Sequence, residues 1–214
     1  MLKVDPPVTG EVVIVGLTEL GEGLCVGGID IGNGRSLRVI APDRTPWDTS
    51  DGWAVGQRYK MTYLLIPNCK PPHVEDVLVL ERELIARGRT NVEAAAALIR
   101  NWQGSLANCF DGCLCWEPTG AGYIAETNIP GVSTGFWRPS TDLKLDRFDS
   151  YWADGTAFNR PGPKRKLKYK GIAPAPEVIP ANALVRLSLS RWWTSPHSGT
   201  HGCWLQLSGV LVSR

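Results

Sequence analysis

The residues "EVVIVGLTEL" at 11–20 open on a β-branched run of strand type. In "LCVGGIDIGNGRSLRVIAP" at 24–42, Val26, Ile29, Ile31, Leu37, Val39 and Ile40 flank Gly32-Asn33-Gly34. Glycine and asparagine take positive φ at little cost, so this pattern predicts a hairpin. "TPWDTSDGWAVGQ" at 45–57 reads as a loop or single helical turn, with Asp48, Thr49 and Ser50 available as caps. "QRYKMTYLLIP" at 57–67 and "DVLVLERELIA" at 76–86 predict two further strands. The "NCKPPHVE" between them must be a loop, because adjacent prolines cannot feed a central sheet. Five strands with a short insert between the third and fourth match the order of a small closed barrel.

"TNVEAAAALIRNW" at 90–102 predicts a helix that bridges two halves. Asn91 can cap it, Glu93 sits in its first turn, and its alanines have the highest helix propensity. The second half is strand-rich again, in "GCLCWEPTGAGYIAET", "STGFW", "DLKLDRFD", "KRKLKYK", "ALVRLSLSRWW" and "CWLQLSGVLVS". Leu184, Arg186, Ser188 and Ser190 fall on one face of a strand, and Val185, Leu187, Leu189 and Arg191 on the other. Toward the end, Trp204, Gln206 and Ser208 alternate with Leu205 and Leu207, and the register shifts at Gly209. No segment recurs at a fixed period, which excludes a solenoid. The pattern gives a mainly β protein of two barrel-like halves joined by a short helix.

Composition fits a folded globular protein: of 214 residues, 43% are hydrophobic and 21% charged, with nine Trp. Trp belongs to cores, to interfaces, or to faces that stack flat ligands. The opening "MLKVDPPVTGEVVIVG" lacks the build of a signal peptide, and no apolar run reaches the length of a membrane span. The six cysteines therefore read as reduced thiols of a cytoplasmic protein.

Charge changes the picture at one place. The formal net charge is +2, yet "PKRKLKYK" at 163–170 packs five cations into seven residues. Without Lys164, Arg165, Lys166, Lys168 and Lys170 the rest of the chain stands at about −3. In an extended strand Lys164, Lys166, Lys168 and Lys170 project to one face, and Arg165, Leu167 and Tyr169 to the other. Ammonium groups about 7 Å apart match the rise per nucleotide of an extended single strand. The competing reading is an edge strand protected by lysines against sheet-to-sheet pairing. A nuclear-localisation reading of the same run is the weakest of the three.

Three stretches resemble one known family. "LCVGGIDIGNGRSLRVIAP", "PPHVEDVLV" and the pair "ALVRLSLSRWW" and "CWLQLSGVLV" are similar to the opening hairpin, the His-Pro-Glu-Asp-type segment and the C-terminal strands of the dual OB-containing domain. The resemblance spans residues 10–213, with Val74 in place of the usual Pro and Leu37 where an aromatic residue is expected. It implies two OB-like β-barrels in tandem. It also implies a role in prokaryotic conflict or defence systems, where members are predicted to sense nucleic acid.

Other chemistry is thinner. Adjacent Trp192 and Trp193 cannot both face inward on one strand, so one looks outward, and beside Arg191 it can stack a base. Packing between the halves is its structural rival, and Trp137, Trp152 and Tyr169 lie in or near the same strands. Cys109, Cys113 and Cys115 have the spacing of His197, His201 and Cys203, which leaves a zinc site open against buried small hydrophobes. His73-Val-Glu75 lacks the downstream Pro-Cys-x-x-Cys of zinc deaminases. Glu75, Asp76, Glu81 and Glu83 have no nearby Lys to complete a nuclease-like set, and no Walker loop or nucleophile elbow is present.

The sequence thus predicts a first OB-like barrel over 1–90, a linking helix over 91–103 and a second OB-like barrel over 104–214. It predicts a non-enzymatic protein with no catalytic residue, metal or cofactor, binding single-stranded nucleic acid as a sensor or adaptor. The candidate contacts are Lys164, Arg165, Lys166, Lys168, Lys170, Tyr169, Arg38, Arg186, Arg191 and Trp192. The alternative is an adaptor that docks an effector nuclease or helicase through a Trp-rich surface. No membrane partner is expected.

Overall fold

The computed structural model describes residues 6–86, 92–153 and 163–211, with the backbone of 156–157 and 160–161. The chain divides into two compact units, residues 1–100 and 101–214.

The first unit holds β1 (Val8–Leu20), β2 (Gly23–Asp30), β3 (Arg35–Ile40), β4 (Arg58–Leu65), β5 (Asp76–Ala86) and the helix α1 (Val92–Ala96). The strands close into a barrel in the order β1-β2-β3-β5-β4, with β3 and β5 parallel and the other pairs antiparallel. Closure leaves no free edge, and alternate residues fill the inside. Val12, Ile14, Val26, Leu37, Val39, Met61 and Val77 are buried together there. Leu37, read from the sequence as occupying an aromatic's stacking place, is fully enclosed.

The β2–β3 turn is organised by one buried carboxylate. Asp30 Oδ1 accepts from the Gly32 amide at 2.9 Å, and its Oδ2 accepts from Asn33 Nδ2 at 3.0 Å and from the Tyr63 hydroxyl at 2.7 Å. Gly34 follows with φ +68°, the left-handed conformation that the Gly-Asn-Gly pattern predicts. At Gly10 a Cβ would stand 2.2 Å from Asp30 Oδ2, so no side chain fits beside that carboxylate.

The 45–57 insert contains a single 3-10 turn, Thr49–Asp51, capped by Asp48. Two of its Trp side chains dock on the barrel. Trp47 and Trp53 meet edge to face at 5.0 Å, and the Arg82 guanidinium from β5 lies 4.0 Å from the Trp53 ring centre. Arg82 also donates to the Asp51 carbonyl at 3.0 Å, which ties the insert down.

The helix is shorter than the 90–102 pattern predicts. After Ala96 the bonds tighten, with Leu98 N–H donating to the Ala95 carbonyl and Ile99 N–H to that of Ala96. Asn101–Gln103 is then a strand, because its pairing with a second-unit strand overrides local propensity. The expected cap Asn91 lies outside the described residues. The division after Arg100 counts α1 with the first unit, where it lies against β1 and β2.

The second unit runs β6 (Asn101–Gln103), β7 (Leu114–Trp116), β8 (Gly122–Ile124), β9 (Thr134–Arg138), β10 (Leu143–Lys144), β11 (Ser150–Ala153), β12 (Thr156–Ala157), β13 (Arg160–Pro161), β14 (Arg165–Tyr169), β15 (Val178–Ile179), β16 (Leu184–Leu189), β17 (Trp193–Thr194) and β18 (His201–Leu211). Its main sheet is a half-barrel ordered β11-β14-β18-β16-β9-β6, with β8 and β17 also on β18 and β7 on β8. One face carries the core, built on Phe110, Ile124, Tyr151, Leu167, Leu187 and Leu207. The protein is mainly β, as predicted.

Burial, and then the Asp30 hydrogen bond and charge, push the Tyr63 phenol up to about 12. The folded state therefore keeps this proton when the unfolded chain has lost it, a contribution fully present below about pH 10 and lost as pH rises through about 12. Tyr63→Phe should cost about 1 kcal/mol near neutral pH by removing one of Asp30's donors. Urea titrations at rising pH should show the gap between wild type and variant narrowing above about pH 10.

Candidate functional site

The basic run becomes β14, and its two-residue period sorts it. Leu167 and Tyr169 are buried in the second-unit core, while Lys166, Lys168 and Lys170 are only half-buried and Lys164 is exposed. The strand is not an edge. It pairs with β11 antiparallel, Lys166 opposite Trp152 and Lys168 opposite Ser150, and with β18 parallel, Lys168 beside Gln206 and Tyr169 beside Leu207. The Lys166 amide also donates to the Gly120 carbonyl at 2.8 Å. The edge-protection reading of these lysines is overturned by these partners on both sides.

Residues paired across a ladder share a face, so the outer face of this sheet can be read from the registers. It carries Lys166, Lys168, Trp152 and Gln206, and on the neighbouring strands Tyr123 and Trp204, which are also paired. Lys166 Nζ lies 5.9 Å from the Trp152 ring centre. Trp152 donates from Nε1 to Asp146 Oδ2 at 2.8 Å, and Lys168 Nζ donates to the Phe148 carbonyl at 2.6 Å. Lys168 Nζ also lies 3.6 Å from Asp149 Oδ2. Partial desolvation opposes ionisation of Asp146, yet hydrogen bonds from Trp152, Phe148 and Ser150 and the charge of Lys166 hold its carboxyl below the usual range.

Several predicted contacts fall elsewhere. Tyr169 is 9% exposed, and its hydroxyl donates to the Ala173 carbonyl at 2.9 Å, so it is a core residue and offers no ring to a base. Arg165 shares that inner side at its rim, its guanidinium 4.2 Å from the Trp116 ring centre, and desolvation lowers its pKa. Arg186 is 8% exposed and donates to Ser208 Oγ at 2.9 Å. Arg38 lies in the first unit, bidentate on Asp76 with both bonds at 2.6 Å, so its donors serve the barrel. Pairs this far apart in sequence leave no local signal.

Arg191 is exposed just beyond β16. Of the two adjacent Trp residues, the outward one is Trp193, 44% exposed, while Trp192 packs against the core and stacks on His201 at 5.7 Å. Trp193 leans on Trp204 at 5.8 Å, and Trp204 on Tyr123 at 5.4 Å. Among the described residues no three His, Cys, Asp or Glu side chains gather as a metal set. Cys109 and Cys203 are buried in the core, where burial pushes the Cys109 thiol up, and Cys113 donates to Asn128 Oδ1 at 3.4 Å. No disulfide joins the six cysteines, all among the described residues, and no described helix is long and apolar enough to cross a membrane.

The family model of the Dual OB-containing domain matches residues 10–210. The chain belongs to the dual OB-containing domain family. No curated protein matches it. A dual OB domain is built on a fold that generally serves as a binding module and commonly takes oligonucleotides. In this dual OB domain the first unit is the closed barrel and the second presents the cationic sheet face.

If the Arg38–Asp76 pair is structural, Arg38→Ala should lower unfolding free energy by about 3 kcal/mol, because Asp76 is left buried without its cation. Oligonucleotide affinity of the folded variant should stay at the wild-type value when read by fluorescence anisotropy.

Proposed function

We propose that this dual OB domain is a non-enzymatic binder of single-stranded nucleic acid, acting as a sensor or adaptor in a prokaryotic defence system. The observation that carries the reading is the placement of Lys166 and Lys168 on the same outer sheet face as Trp152, with Lys164 and Lys170 continuing the same alternation. Cations at every second residue meet successive phosphates, and an adjacent indole offers a flat surface to a base. The phosphates supply affinity without sequence information, so preference among sequences is weak. Family membership supports the defence setting.

A second reading is a protein adaptor, favoured by the exposed Trp193 resting on Trp204. Aromatic residues of this kind anchor protein interfaces. Capture of an effector nuclease or helicase that survives nuclease treatment and high salt would favour it over nucleic-acid binding.

The test of the first reading replaces Lys164, Lys166, Lys168 and Lys170 by Ala together. Anisotropy with a labelled single-stranded oligonucleotide at two ionic strengths should show weaker binding and a log–log salt slope smaller by about 0.7 for each lost phosphate contact. Unchanged affinity and slope in a variant with wild-type circular dichroism would refute the strip as the contact.

A further inference from the structure

We infer that Phe148, flanked by Arg147 and Lys168, is a stacking site for one unpaired nucleobase; the inference rests on the nucleic-acid reading above. Phe148 is 57% exposed, the most exposed large hydrophobic side chain among the described residues. The turn that carries it is tied down. Asp146 Oδ1 accepts from the Phe148 and Ser150 amides at 2.8 and 3.0 Å, while Asp146 Oδ2 accepts from Trp152. The Phe148 carbonyl in turn accepts from Lys168 Nζ at 2.6 Å and from Ser150 Oγ at 3.2 Å. Asp149 completes the turn with φ +52°, in the left-handed region.

A phenyl ring at the tip of such a turn contributes nothing to the core, and its exposure to water is unfavourable. Its backbone is nevertheless fixed at both its N–H and its carbonyl. The Arg147 guanidinium carbon lies 4.7 Å from the ring centre, and the residue remains open in spite of that cation. A ring on a turn fixed at its backbone, with a guanidinium over it and an ammonium on its carbonyl, suits a flat, electron-rich heterocycle whose chain carries phosphate. Bases inside a duplex are already stacked on both faces, so only an unpaired one can lie on Phe148. The ligand is therefore a single strand, with a base on Phe148 and its adjoining phosphate near Arg147 and Lys168.

The experiment compares wild type, Phe148→Ala and Phe148→Trp by anisotropy against a labelled oligo-dT and an abasic oligonucleotide of the same length. Wild type should prefer oligo-dT. Phe148→Ala should lose about tenfold on oligo-dT and nothing on the abasic strand, with an unchanged salt slope, and Phe148→Trp should restore the loss. Equal affinity of wild type and Phe148→Ala for oligo-dT would overturn the stacking site while leaving the lysine strip standing. Failure of wild type to bind either strand would overturn both.

Discussion

A strand offers two faces, and pairing on both of its edges decides which residue takes which. In β14 the ladder with β11 on one side and β18 on the other fixes that choice. A slip of one residue would put Lys166 and Lys168 into the space now filled by Leu167 and Tyr169. Burying ammonium groups without partners costs several kcal/mol each, far more than any gain from re-pairing. The register is therefore locked by the core, and the lysine row on the outer face follows from it. A cationic face made this way needs no separate stabilisation, because the same packing that seals the core aims the cations outward.

The first unit uses a different device at a comparable point. There the chain turns around the buried Asp30 carboxylate, which gathers an amide, an amide side chain and a phenol. Each donor is fixed by its own strand or turn, so the carboxylate joins β2, the hairpin turn and β4. Gly10 is the complement of this arrangement, since any Cβ there would occupy the carboxylate's place. Asp30 and the Gly32-Asn33-Gly34 turn thus serve one structural purpose.

The strands were legible because their apolar alternation is strict, and the Gly32-Asn33-Gly34 turn because few residues tolerate its backbone. The sorting of β14 into lysine and apolar faces was legible for the same reason. Tyr169 illustrates the limit: period two puts it opposite the lysines, but only the core shows that its side is closed. Arg38 and Arg186 were read as candidate nucleic-acid contacts, since a partner such as Asp76 or Ser208 is distant in sequence. The "DLKLDRFD" segment was read only as one of several strand-rich stretches, and of it β10 takes Leu143–Lys144. The signal that was passed over is Asp146 itself, an Asp followed at two and four residues by the amides it accepts. Phe148 sits in the turn that Asp146 builds.

The charge distribution sets how such a surface can work. A net charge of +2 gives little long-range field, and at physiological salt attraction between exposed charges fades beyond about 8 Å. The strip is further tempered by Asp146 and Asp149, the second of which lies 3.6 Å from Lys168. On the proposed reading, a polyanion would be held by contacts made at the face rather than drawn in from a distance, and each phosphate would compete with a carboxylate already present. Under those conditions cations alone give weak, salt-sensitive association. Flat rings beside them add a contribution that salt does not screen, and that contribution is available only to strands with free bases. On the proposed reading, the balance between modest charge and exposed rings would favour single strands over duplexes, whose greater charge density would reward a more basic surface.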